Sequence, residues 1–463
     1  MVENIAPQGG PAVTEAPAGK ATPAHHARTD ARERERRERL ARGDYDLFRD
    51  SLADFYELPD RDIFAKVEPF WRFTQMNKAS GYYLYRRTLL GPSAHRVKVR
   101  DEVTGEVREM VMMASNNYLG LTTHPRVIEA GVKAYEKYGA GAGSVSLLAG
   151  TIDLHAELEQ KLARFKGCED AIVFPAGYSS NVGCVTALAR EGDVIVNDIL
   201  NHASIVDGSR LSGATIKVFP HQDMEALDKL LGRLRRQDGV QGILVIVDGV
   251  FSMDGDIAPL PKLIPIVRKH GARLMIDEAH ATGVIGRNGH GTPEHWGVEG
   301  QVDVVAGTLS KGLGGVGGFI ASSKEVVNYL RFYARSYMFS TALPPAVSAS
   351  LNAGLDVIED EPELRARLWK NINYMREKLL AMGWNLGNAE TAIFPLIIGD
   401  DYKVKEMGRQ LDKMGIYVNP VFYPAVARKL SRIRLSLMAT HTQEDLDDTL
   451  AAIEKAGKAV GAI

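Results

Sequence analysis

The chain has 463 residues, of which 45% are hydrophobic and 25% charged, and its formal net charge at pH 7 is −2. This length predicts a large domain with a smaller one attached, the near-neutral charge argues against a nucleic-acid partner, and the sequence has no apolar run long enough to span a membrane. The two cysteines, Cys168 and Cys184, have no metal-ligand spacing and fit a reducing compartment, so we expect a cytoplasmic protein without a metal site.

The first 45 residues are predicted to form a disordered, charged extension. An Ala-, Pro- and Gly-rich tail, which lacks the apolar segment of a secretory signal, leads into a mixed-charge run over 29–42 that is typical of a solvated helical face. Residues 46–109 are predicted to form an N-terminal segment, which has a helix around FAKVEPFWRFTQMN and then extended chain.

Residues 110–345 are predicted to form a large α/β domain. Short apolar runs without polar alternation recur there, each bounded by turn residues and separated from the next by a helical pattern. Such runs suit strands covered on both faces, and therefore a mainly parallel, seven-stranded sheet with crossover helices. The seven runs are DAIVFPAG, DVIVNDIL, TIKVFP, GILVIVDGV, ARLMIDEAH, VDVVAGTLS and GGFIASS.

Residues 346–463 show a different pattern, which predicts a small α+β domain. Two longer helical stretches come first, and a closing helix ends the chain. The strand-like runs between them are AIFPLIIG, GIYVNPVFYP and IRLSLMATH.

Three residues of the large domain could hold an aromatic cofactor. Lys311 lies in a loop of small residues, GTLSKGLGGVGG, where a planar ring could approach the backbone, although a phosphate-binding loop or a surface lysine also fits. Asp277 ends a buried strand in IDEAHATG, where it could pair with a pyridinium nitrogen, and His280 could reach the ring's phenolic oxygen. The letters DEAH also occur in nucleotide-hydrolysing helicases, but the phosphate loop that those enzymes need is not in the sequence.

Other segments allow a functional and a structural interpretation. Gly177 and Tyr178 stand at a probable helix start in FPAGYSSN, where their amides could bind an anion or simply form a turn. His202 could lie on an aromatic ring or satisfy a loop. Arg434, in an apolar strand pattern, fits a carboxylate clamp or a structural ion pair. The Gly-rich stretch 139–150 lacks the dinucleotide-binding spacing and indicates a close-approach loop.

Over residues 100–460 these segments together resemble, in order and spacing, the α-oxoamine synthases, a family of fold-type I pyridoxal-phosphate enzymes. The motifs that carry the resemblance are ASNNYLGL, GTIDLHAELEQKLARF, LNHASIVDG, VDGVFSMDG, IDEAHATGVIG, GTLSKGLGG, MFSTALPP, GIYVNPVFYP and IRLSLMATHT. The resemblance implies an acyltransferase that condenses a small amino acid with an acyl thioester, on coenzyme A or an acyl carrier protein. It would release the thiol and usually CO₂, and give an α-amino ketone.

The resemblance also implies roles for the residues around the cofactor, pyridoxal 5′-phosphate. Lys311 would form an imine with it and act as the base, Asp277 would pair with the pyridine nitrogen, His280 would contact the phenolic oxygen and His202 would stack on the ring. The phosphate group would be bound by Gly177, Tyr178 and Thr308.

Five further residues would act on the substrate or on a second subunit. Asn116, Ser252 and Arg434 would hold the amino-acid carboxylate. Ser340 and Thr341, in MFSTALPP, would reach the phosphate of the neighbouring subunit, which implies a homodimer with shared active sites.

The resemblance to the family does not decide which substrates the enzyme uses. Four segments are most similar to the sequences of glycine C-acetyltransferases, also called 2-amino-3-ketobutyrate CoA ligases: VDGVFSMDG, LNHASI, LRARLW and FYPAV. Those enzymes usually carry an arginine where this chain has Ser146, and the segment FWRFTQMNKASGYYLYRRTLLG is instead similar to serine palmitoyltransferase-like members, so a long acyl chain is the alternative. A fold-type I aminotransferase is a more remote one. A non-catalytic partner subunit would lack the lysine that is present here as Lys311.

Overall fold

The computed structural model describes residues 34–56, 58 and 61–463, so the predicted tail at 1–33 lies outside the described residues. The chain divides into two compact units, Met1–Ser80 and Gly81–Ile463. The division of the second unit into a large and a small domain at 345 stays a prediction, as do the other predicted boundaries.

The first unit is built from helices around a small aromatic core. Leu40, Phe55 and Phe73 are buried in this core, and Arg39 forms an ion pair with Asp50. The described part of the charged run is a helix with Arg34, Glu35 and Glu38 exposed, as predicted for a solvated face, and its opposite side supplies Leu40 to the core. The helices are α1 (34–41), α2 (Leu52–Tyr56) and α3 (Val67–Ala79), the last of which confirms the predicted helix.

A seven-stranded sheet forms the centre of the second unit, and each of its strands is one of the seven predicted runs. The strand order is β4-β10-β9-β8-β7-β5-β6, in which β10 runs antiparallel to both neighbours and the other pairs are parallel. The strands are β4 (Asp170–Phe174), β5 (Val194–Asp198), β6 (Thr215–Phe219), β7 (Ile243–Asp248), β8 (Arg273–Asp277), β9 (Val304–Thr308) and β10 (Gly318–Ser322). The predicted fold class, an α/β fold-type I transferase with a mainly parallel seven-stranded sheet, is confirmed.

Helices cover this sheet and connect its parallel strands. The valine and isoleucine side chains of β7 are buried together with both its ends, as expected of a central strand covered on two faces. The helices of this region are α4 (Pro125–Tyr138), α5 (Asp153–Lys166), α6 (Gly177–Leu188), α7 (Ala203–Ser212), α8 (Met224–Leu234), α9 (Leu260–Lys269), α10 (Thr292–Trp296), α11 (Lys324–Tyr333) and α12 (Arg335–Met338).

Two smaller sheets complete the second unit. One has the order β11-β14-β13, and the other has the order β1-β2-β3-β12, in which β12 runs parallel to β3. The segment predicted to precede the core therefore shares a sheet with the C-terminal part of the chain. The remaining elements are β1 (Thr88–Leu89), β2 (Arg96–Arg100), β3 (Val107–Met112), α13 (Pro345–Asp360), α14 (Pro362–Ala381), β11 (Ile393–Ile397), α15 (Asp401–Lys413), β12 (Ile416–Tyr417), β13 (Asn419–Val421), β14 (Arg432–Ser436) and α16 (Gln443–Ala459).

The Gly-rich stretch before α5 contains one close backbone approach. A Cβ atom on Gly150 would lie 2.3 Å from the carbonyl oxygen of Ser144, so only glycine fits there, and the predicted close-approach loop is confirmed. No helix in the described ranges has the length and apolar character that a bilayer span requires.

Candidate active site

A cavity of about 270 Å³ opens at the carboxyl ends of β7, β8 and β9, beside the first turn of α6. This is the edge of an open α/β sheet at which ligands bind. Seven of the predicted site residues line it, so the structure brings together positions that are up to 134 residues apart. They are Gly177, Tyr178, His202, Asp277, His280, Thr308 and Lys311.

Lys311 follows β9 and is held by a histidine. Its Nζ atom lies 2.8 Å from Nε2 of His280. Burial lowers the pKa of Lys311 to about 8, although the carboxylate of Asp277 partly opposes this effect. A lysine with such a pKa is partly unprotonated near neutral pH, and it can therefore act as a nucleophile or a base.

His280 is fixed from its other side by a tyrosine that the sequence analysis did not single out. Its Nδ1 atom lies 2.6 Å from the hydroxyl of Tyr118, which is buried. Burial and the nearby cations Lys311 and Arg434 lower the pKa of His280 well below its ordinary value, and burial raises that of Tyr118 to about 12. Both groups are therefore neutral at neutral pH.

Asp277, at the end of β8, has both carboxylate oxygens occupied by neutral donors. The side-chain amide of Asn181 donates to Oδ2 over 2.6 Å, and the backbone amide of Ala279 donates to Oδ1 over 2.8 Å. These bonds fix the plane of the carboxylate.

A second carboxyl group, Asp248, lies beside Asp277 in the parallel register of β7 and β8. It is buried and accepts a hydrogen bond from the backbone amide of His202 over 3.3 Å. Burial and the charge of Asp277 raise the pKa of Asp248 well above its ordinary value. The sequence did contain a signal for this residue, because it ends a buried apolar run as Asp277 does.

The first turn of α6 forms a cradle suited to an anion. The amides of Gly177 and Tyr178 are the first of the helix, so they have no intrahelical acceptor. A Cβ atom on Gly177 would lie 2.7 Å from Oγ1 of Thr308, so glycine is required for this close approach. The Thr308 hydroxyl lies 2.9 Å from that of Ser310 and completes the polar wall.

Arg434, on β14, lies with Asn116 and Ser252 in a second group of predicted residues. Its Nε atom donates to the Ser252 carbonyl over 2.7 Å, and Nη2 lies 3.4 Å from Oδ1 of Asn116. Its Nη1 atom also donates to the hydroxyl of Ser436 over 2.8 Å. Among the described residues no carboxylate pairs with Arg434, which argues against the structural ion pair.

The comparisons with known proteins agree with this geometry. The model of the aminotransferase class I and II family matches residues 108–453. The 8-amino-7-oxononanoate synthase of Geobacter sulfurreducens is 45% identical over 392 residues, which are 84% of this chain and 98% of that protein. The solved structure of Sphingomonas wittichii serine palmitoyltransferase is 36% identical, with a TM-score of 0.81, and the match covers 87% of this chain and all of that one.

The chain belongs to the α-oxoamine synthases, a family of fold-type I pyridoxal-phosphate enzymes. Another relative, the 4-hydroxy-2,2′-bipyrrole-5-methanol synthase PigH of a Serratia species, is 42% identical over 411 residues, which are 89% of this chain but only 62% of that protein. The predicted family, enzyme class and cofactor are confirmed: α-oxoamine synthases are pyridoxal-phosphate-dependent acyltransferases that condense an amino acid with an acyl thioester.

The cavity of this α-oxoamine synthase fits its cofactor. Asp277 supplies a fixed carboxylate for a pyridine nitrogen, Lys311 supplies an amine for an aldehyde, and the first turn of α6 supplies amides for a phosphate. His202 lines the same cavity, and burial lowers its pKa, so its ring is neutral. These four features are the groups that pyridoxal phosphate needs.

Five predicted residues are not among those that line the cavity: Asn116, Ser252 and Arg434, which form the second group described above, and Ser340 and Thr341. Thr341 is exposed and forms an isolated bridge with Val145, and Ser340 is half-buried. The structure does not bring them to the cavity of their own subunit, so their predicted contact with a neighbour's phosphate stays a prediction.

Proposed function

We propose that the protein condenses a small amino acid with an acyl thioester, releases the free thiol and CO₂, and forms an α-amino ketone. The observation that carries this proposal is the continuous connection between Lys311 and Arg434. It runs through His280, Tyr118 and Asn116, and it joins a cofactor lysine to a guanidinium that has no carboxylate partner among the described residues.

The residues of the cavity hold the cofactor in this proposal. Lys311 would hold its aldehyde carbon, Asp277 would pair with the pyridine nitrogen, His280 would contact the phenolic oxygen and His202 would lie against the ring. The phosphate is bound by Gly177, Tyr178 and Thr308. When bound, pyridoxal phosphate supplies an electron-withdrawing ring that stabilises negative charge on the Cα atom of the amino acid.

Lys311 also moves the proton. Its Nζ atom would take the Cα proton of the amino acid and later return one to the product. A pKa of about 8 suits both directions of transfer near neutral pH. The neighbouring neutral His280 keeps Nζ in place without adding a competing positive charge.

Arg434 binds the carboxylate of the amino acid. Its planar fork can donate two parallel hydrogen bonds to a carboxylate, and Asn116 and the Ser252 segment hold the guanidinium in position. Fixing the carboxylate would also fix the orientation of the bonds at Cα, so this clamp would select the bond that breaks.

We propose that the acyl group is longer than acetyl. Ser146 is half-buried, and it stands where acetyl-specific enzymes of the family usually carry an arginine, which is a much larger side chain. The names of the relatives support a longer chain, since they include 8-amino-7-oxononanoate synthases and serine palmitoyltransferases. Glycine C-acetyltransferase remains the competing assignment, and the carrier is coenzyme A or an acyl carrier protein.

We further propose a homodimer in the cytoplasm. Large apolar side chains are exposed close in sequence to residues of the candidate site, with Phe339 67% and Ile199 62% exposed. A second copy would cover them and bring Ser340 and Thr341 to its partner's phosphate. The free Cys168 and Cys184 fit a reducing compartment.

A thiol-release assay tests the proposed function. The holoenzyme is mixed with glycine, alanine or serine and with acetyl and longer acyl thioesters of coenzyme A and of acyl carrier protein. Thiol release that depends on both substrates, with CO₂ release and no activity for Lys311→Ala, is the expected result. Formation of a keto acid from the amino acid without thiol release would identify an aminotransferase instead, and efficient turnover of acetyl thioester alone would identify a glycine C-acetyltransferase.

A further inference from the structure

Asn181 and Ser204 connect the two groups that would lie against the cofactor ring. Asn181 stands on α6, one turn after Gly177, and is 3% exposed. Its Nδ2 atom lies 2.6 Å from Oδ2 of Asp277 and 2.9 Å from Oγ of Ser204. The Ser204 hydroxyl, fully buried on α7, lies 2.7 Å from Nδ1 of His202.

The chemistry of these groups fixes the direction of every hydrogen bond in the path. A carboxylate only accepts, so the atom of Asn181 that faces Asp277 is the amide nitrogen, and its second hydrogen goes to Ser204. The backbone amide of Ser204 donates to Nδ1 of His202 over 3.3 Å, so Nδ1 is an acceptor. The hydrogen between Nδ1 and the Ser204 hydroxyl therefore belongs to the hydroxyl.

His202 therefore needs a lone pair on Nδ1. Burial lowers the pKa of His202, so the ring is neutral at neutral pH and carries one hydrogen. With Nδ1 accepting, that hydrogen is on Nε2. The four residues form one directed path in which Asn181 is the donor to both sides.

We propose that Asn181 and Ser204 are positioning residues that fix His202 as its Nε2–H tautomer and hold Asp277 in the plane that the pyridine nitrogen requires. The proposal rests on the proposed cofactor site, but its consequence for His202 concerns the protein alone. It gives a function to two buried polar residues that the family motifs leave without one. Because the protein itself sets this tautomer, His202 would carry its hydrogen on Nε2 both before and after the cofactor binds.

Asn181→Asp removes the donor from the path. The new side chain has the size of the amide, but two carboxyl groups in contact share a single proton, so its oxygen beside Ser204 accepts the hydrogen of the hydroxyl. The hydroxyl then no longer donates to Nδ1 of His202, which keeps only the bond from the Ser204 backbone amide. Nitrogen NMR of cofactor-free protein with labelled histidine should show an unprotonated, hydroxyl-bonded Nδ1 in the wild type and a clearly shifted Nδ1 resonance in the variant. The resonance is assigned by its loss in His202→Gln.

Ser204→Ala has a matched control on the same helix. Ser209 is also fully buried and accepts from a side-chain amide, that of Asn197 over 3.0 Å, but it does not line the cavity. Ser204→Ala should shift the Nδ1 resonance of His202 toward that of an imidazole without a hydroxyl donor, whereas Ser209→Ala should leave it unchanged. Equal shifts in both variants would show only a general effect of helix loosening and would overturn the proposal.

The wild-type spectrum is decisive even where a variant does not fold. A His202 that carries its hydrogen on Nδ1 at neutral pH would overturn the proposal outright, as would a folded Asn181→Asp protein whose Nδ1 resonance is the same as that of the wild type. If the predicted tautomer is found and no thiol is released from any thioester, the proposed function fails and the positioning role stands.

Discussion

Lys311 and His280 share a hydrogen bond between two nitrogen atoms, 2.8 Å apart. Such a bond needs one donor and one acceptor, and the low pKa of His280, caused by burial and nearby cations, leaves its Nε2 lone pair free to accept. Nδ1 then carries the hydrogen and donates to Tyr118, whose hydroxyl donates in turn to Oδ1 of Asn116 over 3.4 Å. The protonation state of Lys311 is thus coupled, through His280 and Tyr118, to Asn116, which contacts Arg434.

The pKa of Lys311 predicts how the cofactor-free protein takes up pyridoxal phosphate. Only the unprotonated amine attacks an aldehyde, so the rate of covalent attachment should rise as the pH increases, level off above a pKa of about 8, and fall roughly tenfold per pH unit below it. Rapid mixing with detection of the cofactor's visible absorbance measures this rate. A midpoint at the ordinary value of a lysine would contradict the enclosed position of Nζ.

Tyr118→Phe tests the connection behind His280. The phenyl ring fills the same volume, but Nδ1 of His280 loses its partner, so turnover should fall by about tenfold, the effect of one buried hydrogen bond. Steady-state kinetics of thiol release measure it. Tyr374→Phe removes a hydroxyl that contacts Asp447 on an exposed surface, and this variant should keep full activity. Equal losses in the two variants would mean that the connection has no role.

The sequence predicted the sheet and the cofactor residues because both leave local signals. Buried strands appear as unbroken apolar runs, and Asp277 and Lys311 follow such runs at the edge where ligands bind. Tyr118 and Asn181 leave no such signal, because their partners His280 and Asp277 are 162 and 96 positions away along the chain. A contact of that kind becomes visible only when the sheet brings the two segments together.

The predicted role of Ser340 and Thr341 could not be checked for a different reason. Their predicted role needs a second subunit, and a single chain cannot show it. The pairing of β12 with β3 was also beyond sequence patterns, since two residues of an apolar run in the C-terminal part give no sign of which distant strand they join.

Arg434→Lys tests the carboxylate clamp. Lysine keeps the charge but cannot donate two parallel bonds, so KM for the amino acid should rise by about tenfold to a hundredfold, with a smaller change in kcat. Substrate-dependence measurements at saturating thioester separate the two constants. An amine of similar size without a carboxylate serves as the control, because it should bind the wild type and the variant equally well. A fall in kcat with an unchanged KM would assign Arg434 to another step.

We expect His221, which lies outside the cavity, to make a pH-dependent contribution to the stability of the fold. Its Nδ1 atom lies 3.0 Å from Oδ1 of Asp198 and its Nε2 atom 2.8 Å from Oδ2 of Asp256. Burial alone would lower the pKa of His221, but the two carboxylates outweigh it and raise the pKa to about 10. The histidine is therefore charged in the folded protein throughout the neutral range.

Because the folded pKa lies above the ordinary value of about 6.5, the charged form stabilises the fold fully below that pH, and the stabilisation is lost as the pH rises through about 10. His221→Gln should therefore lower the free energy of unfolding by about 1.5 to 3 kcal/mol at acidic to neutral pH. The difference from the wild type should shrink steadily toward alkaline pH. Denaturant unfolding across the pH range measures it, and the exposed His295→Gln provides the control. A difference that grows with pH would contradict a charged His221 between the two carboxylates.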